Sequence, residues 1–163
     1  MPRDFKLFYG EKVPDEISDH VERHLNDLYG INFRSVGVRI PSKSAWDTDC
    51  NCYDAKRLVQ YLKSDSITFC MWLISQPIVV DKKSVYGYAE PLIGAVVSTT
   101  RMATRTLIAK EAAYFVGIVL GLTSCSNDCI MHEPDNFEEL VQKSSELCNS
   151  CKIRFQKLKI RYM

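Results

Sequence analysis

The chain has 163 residues, of which 46% are apolar and 25% charged, with a formal net charge of +1. That length suits one domain with a substantial core, and that balance is ordinary for a globular chain. It excludes a binder of nucleic acid or membrane that works through global charge, and no apolar run approaches the ~18 residues of a spanning helix.

Phe5 to Tyr9 is short and apolar-rich and predicts a strand closed by Gly10. Its charged surroundings read as lacking a secretory leader. Pro14, followed by Asp15 and Glu16, suits a helix start, since proline needs no N–H there and the acids meet the positive helix end. Ile17, Val21, Leu25 and Leu28 recur at helical spacing, and Gly30 suits the C-cap. His20 and His24 lie one turn apart in this helix. Such a pair can share a metal, but no glutamate follows the first and no third ligand is in view, so they read as surface residues. Arg34 to Ile40 alternates and predicts a strand ended by Pro41.

Ser42 to Asn51 is polar and reads as a loop. Cys52 to Leu62 predicts an amphipathic helix striped by Tyr53, Leu58, Tyr61 and Leu62. Cys50 and Cys52 read as loose thiols, because a one-residue spacing suits neither redox nor metal chemistry well. Ile67 to Ile74 is a continuous apolar run of strand length, the pattern of a central strand buried on both faces. Ala95 to Thr99 predicts a further strand. Thr104 to Leu120 is a long helix, nearly all apolar from Ala112 onward and so buried all round, with Gly117 a packing position and Gly121 the C-cap. His132 to Asp135 forms a hinge. Asn136 and Glu139 make a capping box for a helix that Phe137, Leu140, Val141 and Leu147 stripe up to Cys148. No internal repeat, low-complexity tract or glycine-rich phosphate loop interrupts the order.

Four cysteines, Cys125, Cys129, Cys148 and Cys151, have the spacing C-x3-C-x18-C-x2-C. Two short pairs separated by a helix's length are the usual pattern of a closed structural zinc site. Free thiols beside such a site predict a reducing compartment, cytoplasm or nucleus. The last twelve residues carry Lys152, Arg154, Lys157, Lys159 and Arg161 and no acid. The apolar residues interleaved with them either pack back on the sheet or accompany the charges onto an anionic surface.

Residues 110–125, KEAAYFVGIVLGLTSC, resemble the active-site helix and turn of the archaemetzincins, a family of zinc metallopeptidases with the pattern HExxHxxGxxHC, a following C-x-M and a distal C-x-x-C. Gly121 matches the glycine of that pattern and Cys125 its cysteine. Cys129-Ile130-Met131 matches C-x-M, which puts Met131 at the family's Met-turn, and Cys148 with Cys151 matches the distal pair. Lys110-Glu111 fits the residues before the motif, and Val85 to Ala89 stands where the family carries a stretch resembling FVFGxA. The three histidine positions fall on Tyr114, Ile118 and Ser124, and the catalytic glutamate position on Phe115. Ile and Phe offer no lone pair, and Tyr and Ser keep their protons at neutral pH. A metallopeptidase needs a metal to acidify water and a carboxylate to take the proton.

The resemblance implies an α+β fold: a metzincin-like core with a mixed sheet of about four to five strands, three main helices and a C-terminal four-cysteine zinc lobe. One domain spans residues 1–163, with the lobe at 125–151 and a basic segment at 152–163. The expected function is that of a non-catalytic relative, with no catalytic residue and with Tyr114, Phe115 and Ile118 filling the former pocket. It holds one structural zinc and acts as a binding or regulatory module. Two alternatives stay open. One is an active zinc metallopeptidase with non-standard ligands such as His132 and acidic residues. The other is an RNA- or ribosome-associated factor, in which Lys152, Arg154, Lys157, Lys159 and Arg161 meet phosphates and Phe155 or Tyr162 stacks on a base. The implied partner is a protein or ribonucleoprotein, with no membrane and no small-molecule cofactor. An edge strand near Ala95 to Thr99 would take peptide by main-chain pairing.

Overall fold

The computed structural model describes residues 3–162; Met1, Pro2 and Met163, the ends of the expected domain and of its basic segment, lie outside the described residues. Its main sheet is built from β1 (Phe5–Tyr9), β2 (Phe33–Val38), β5 (Cys70–Ile74), β8 (Gly87–Glu90) and β9 (Gly94–Ser98), in the order β2-β1-β5-β9-β8. The first four of these in space run parallel, and β8 runs antiparallel to β9 at the edge. Hydrophobic alternation explains the layers. Leu7 and Tyr9 of β1, Met71 and Leu73 of β5, and Ala95 and Val97 of β9 face α1 (Asp15–Tyr29) and α3 (Arg105–Val119). Phe8, Cys70, Trp72, Ile74 and Val96 face the other way, onto α2 (Ala55–Ser64). The strand expected from Ile67 to Ile74 is thus central and buried on both faces, though it pairs only from Cys70.

Three main helices and five main-sheet strands match the expected architecture. Several local expectations are corrected. Ser42 to Asn51 is more than a loop: it holds a short 3-10 turn (Lys43–Ala45) and β3 (Trp46–Asp47). The expected helix start at Cys52 is instead strand β4 (Cys52–Asp54), with Asp54 as the N-cap of α2. With β6 (Ile78–Val80) and β7 (Lys83–Val85) these form a second sheet, β3-β4-β6-β7, which the sequence did not announce. Its strands are two or three residues long, too short for a period to show. The helix expected from Asn136 to Cys148 is α4 (Phe137–Gln142) alone. The chain then runs irregularly to α5 (Asn149–Lys159) because Lys143 is drawn into the core. Ala95 to Thr99 is not an edge: β9 lies between β5 and β8, and the edge beside α3 is β8.

Gly121 ends α3's last turn with φ +106, a conformation that favours glycine. The C-terminal segment packs back. Phe155 stacks edge-on against Tyr29 at 5.1 Å, and the Tyr162 hydroxyl donates to the Leu120 carbonyl at the end of α3. Among the described residues no helix is long and apolar enough to cross a membrane.

Candidate functional site

Two arrangements adjoin α3. The first is a metal centre. After Gly121 the loop closes on itself, with Cys125 N–H donating to Met131 O at 2.8 Å and His132 N–H to Cys129 O at 2.9 Å. This holds Cys125 and Cys129 on one side. Cys148 is the N-cap of α5, and Cys151 sits in its first turn. All four Sγ atoms lie within 4.8 Å of one another. Cys125 and Cys148 Sγ are 3.7 Å apart, close to the edge of about 3.8 Å that a tetrahedron of Zn–S bonds near 2.3 Å requires. Backbone N–H groups of Met131 and Cys148 donate to Cys129 Sγ at 3.4 and 3.3 Å, and the Asn127 amide donates to Cys148 Sγ at 3.6 Å. Such bonds favour thiolate over thiol. The Cys151 backbone N–H, with Asn127 behind it, pulls the Cys148 thiol down to about 6. Four soft donors, oriented and with no open position, are a zinc-binding set of the structural kind.

Among the described residues no other group of three or more His, Cys, Asp or Glu side chains converges in this way, so His20 and His24 gain no third ligand. Cys50 and Cys52 are brought side by side ahead of α2, with Cα atoms 5.3 Å apart, a separation within disulfide reach.

The second arrangement is a cleft of about 530 Å³ between β8, the middle of α3 and the segment Glu133–Phe137. Three of the four motif positions line it, and the fourth touches one of them: the Tyr114 hydroxyl lies 2.8 Å from Ser124 Oγ, while Tyr114 meets Phe115 edge-on at 5.0 Å. The expectation that these side chains fill the pocket is corrected. Phe115 is turned against β8, where a Cβ on Gly87 would come within 2.4 Å of its ring, and Tyr114 is folded back onto Ser124. The space between them and Glu133–Phe137 stays open.

At the base of the cleft Glu111 Oε1 accepts from Lys143 Nζ at 3.0 Å, both side chains being almost fully enclosed (3% and 2% exposed). Lys143 also donates to the carbonyls of Ile130 and His132 at 3.1 and 3.2 Å, so its three N–H bonds are satisfied. Its ammonium lies 4.9 Å from the Tyr114 ring centroid. Burial raises the Glu111 pKa and lowers that of Lys143, and each is partly offset by the other. Lys110 Nζ donates to Val141 O at 2.8 Å at the end of α4. Sequence reasoning missed Lys143, since nothing in the run QKSS marks a lysine as buried.

Beneath α3, a Cβ on Gly117 would meet Met131 Sδ at 2.4 Å and the Tyr29 hydroxyl at 2.8 Å, so the Met-turn packs directly on the helix backbone. His132 is a loop residue, with Nδ1 3.2 Å from Cys125 O and Nε2 3.7 Å from Glu139. On α5 and beyond, Lys152, Arg154, Lys157 and Arg161 are exposed, while Lys159 leans over Gly30. Phe155 and Tyr162, expected to be free for stacking on a base, are buried in the core.

Residues 103–157 match the family model described as Peptidase family M54. The archaemetzincin of Archaeoglobus fulgidus is 32% identical over 128 residues, covering 68% of this chain and 79% of that protein. The archaemetzincin of Nanoarchaeum equitans is 28% identical over 138 residues, covering 82% and 79%. The crystal structure of archaemetzincin from Methanopyrus kandleri superimposes with a TM-score of 0.86 at 22% identity, over 98% of this chain and 97% of that one. These matches correct the expectation that the chain is not an enzyme. The matched span, residues 103–157, contains Tyr114, Phe115, Ile118 and Ser124, and the model it matches is that of a peptidase family. That span runs from α3 through the Gly121 turn to the four cysteines, and a cleft lies open between α3 and β8. By sequence and by fold alike, the chain belongs to the archaemetzincins, Peptidase family M54.

Proposed function

We propose that this archaemetzincin acts on peptides, taking an extended segment against the free edge of β8 while a structural zinc in Cys125, Cys129, Cys148 and Cys151 holds the segment that leads out of the cleft. The observation that carries the reading is the phase of β8. The Tyr86 carbonyl accepts from Ser98 N–H at 2.8 Å, so Tyr86, Tyr88 and Glu90 turn their backbone groups to β9. Gly87 and Ala89 turn theirs outward, at the rim of the cleft. An extended peptide laid there gains main-chain hydrogen bonds, and its alternate side chains point into the cleft. Ala89→Pro removes one outward N–H without touching the β8–β9 ladder, as proline on an edge allows. It is expected to weaken capture of a fluorescent unstructured peptide, read by anisotropy, while circular dichroism stays unchanged. Undiminished capture would count against the β8 edge.

A second reading concerns an anionic partner on α5. Arg154, Lys157 and Arg161 follow one another at near-helical spacing, are exposed, and have no acid among them. An RNA backbone suits such a flank through phosphate contacts alone, since the aromatic rings are enclosed. Co-purification of RNA that nuclease or added salt removes would support it.

A further inference from the structure

The cleft has a chemistry of its own that the β8 edge does not account for. Its lining includes the rings of Tyr86 and Phe115 and, on the single segment Glu133–Phe137, the carboxylates of Glu133 and Asp135 together with the Phe137 ring, with Glu111 at the base. Glu111 is already paired with Lys143, whereas Glu133 and Asp135 form no ion pair among the described residues. Two of the cleft's rings already hold cations of the protein itself. The Arg101 guanidinium lies 4.6 Å from the Tyr86 centroid, and the Lys143 ammonium 4.9 Å from that of Tyr114. The three carboxylates do not converge as a metal site does, so they are spread for something longer than an ion. Aromatic faces together with unpaired carboxylates are the surroundings in which an organic cation loses least on leaving water, the rings through their quadrupoles and the acids through charge.

We infer that the cleft selects peptides carrying a cationic side chain, Lys or Arg, whose stem lies along Phe115 and Phe137 and whose head group meets Glu133 and Asp135. This rests on the peptide reading of the β8 edge. An uncharged aliphatic side chain of the same length would keep the packing of the stem and forgo the pairing of the head group. An acidic one would meet Glu133 and Asp135 as like charges. The cleft's size agrees, since about 530 Å³ admits a long side chain together with part of its main chain.

The test uses the full chain and three fluorescent alanine-rich peptides that differ at one central position: Lys, norleucine or Glu. Anisotropy titration is expected to give the Lys peptide about tenfold tighter binding than norleucine, shrinking at high salt, with Glu weakest. Glu133→Gln combined with Asp135→Asn, both at exposed positions, is expected to bring the Lys-to-norleucine ratio towards one. Equal affinity for Lys and norleucine, or a ratio that the double variant leaves intact, overturns the inference while leaving the β8 edge standing. If no peptide binds at all, the edge reading falls and this inference falls with it. The peptide comparison needs no variant, so a misfolded variant does not shield the idea.

Discussion

Lys143 and Glu111 show how much one residue can hold. Their ion pair is enclosed, and the same ammonium ties the carbonyls on both sides of Met131 to α3. Removing the cation leaves a buried carboxylate and two carbonyls without partners. Lys143→Met is therefore expected to cost on the order of 3–5 kcal/mol in urea unfolding, and Lys143→Met with Glu111→Leu to recover part of that. A loss under about 1 kcal/mol in the single variant would mean the pair is not closed in solution. His24 gives a pH prediction. Burial, then the neighbouring His20, lowers its pKa below the ordinary 6.5, and its Nε2 is buried without a partner. The unfolded chain then takes up a proton first as pH falls. Stability from this group is present above about 6.5 and declines below it, until the folded form protonates too. Thermal melts of His24→Gln are expected to fall less steeply than wild type between about pH 7 and 5, and parallel slopes would dismiss the group.

Helix α3 is where propensity and packing disagree. On propensity, Gly117→Ala should stabilise a helix interior by about 1 kcal/mol. The structure predicts the reverse, because the new Cβ would lie 2.4 Å from Met131 Sδ and 2.8 Å from the Tyr29 hydroxyl. The Tyr29 hydroxyl also donates to the Ala113 carbonyl, so it cannot move away freely. Gly117→Ala is expected to lose about 1–3 kcal/mol, measured by denaturant midpoint. The C-terminal lobe is expected to depend on metal, because its four cysteines converge while its helices are short. Its α4 has six residues, and α5 begins on a zinc-spaced cysteine. Purified protein is expected to carry about one zinc per chain, and stripping it to release residues 125–162 to proteolysis while the main sheet survives. Full zinc content in Cys148→Ser/Cys151→Ser would contradict the assignment. The long elements were legible because their apolar patterns outrun chance. The buried run of β5, the stripe of α1 and the apolar α3 all declared themselves. Strands β3, β4, β6 and β7 did not, since two or three residues carry no period.

For the molecule as a unit, α5 offers the remaining test. Replacing Arg154, Lys157 and Arg161 by Ala leaves Phe155 and Tyr162 in the core and removes the exposed positive flank. If RNA docks there, the slope of log affinity against log salt is expected to flatten by roughly one unit for each phosphate left without its cation. An unchanged slope assigns those charges to solvation. Whatever is local or strongly patterned could be read from the chain alone. That covers the α+β core, the cysteine set with its metal chemistry, the residues at the four motif positions and the family to which they point. Whatever depends on distant parts of the chain meeting could be read only from the folded protein. Folding makes β8 rather than β9 the free edge, keeps the cleft open beside Phe115, and buries Lys143 against Glu111. It also spends the rings of Phe155 and Tyr162 on the core. Spacing in sequence encodes a face of a helix or a pair of ligands. Which strand lacks a neighbour, or which lysine finds its carboxylate, is set by packing between separate segments, as Lys143 meets Glu111 across 32 residues of chain.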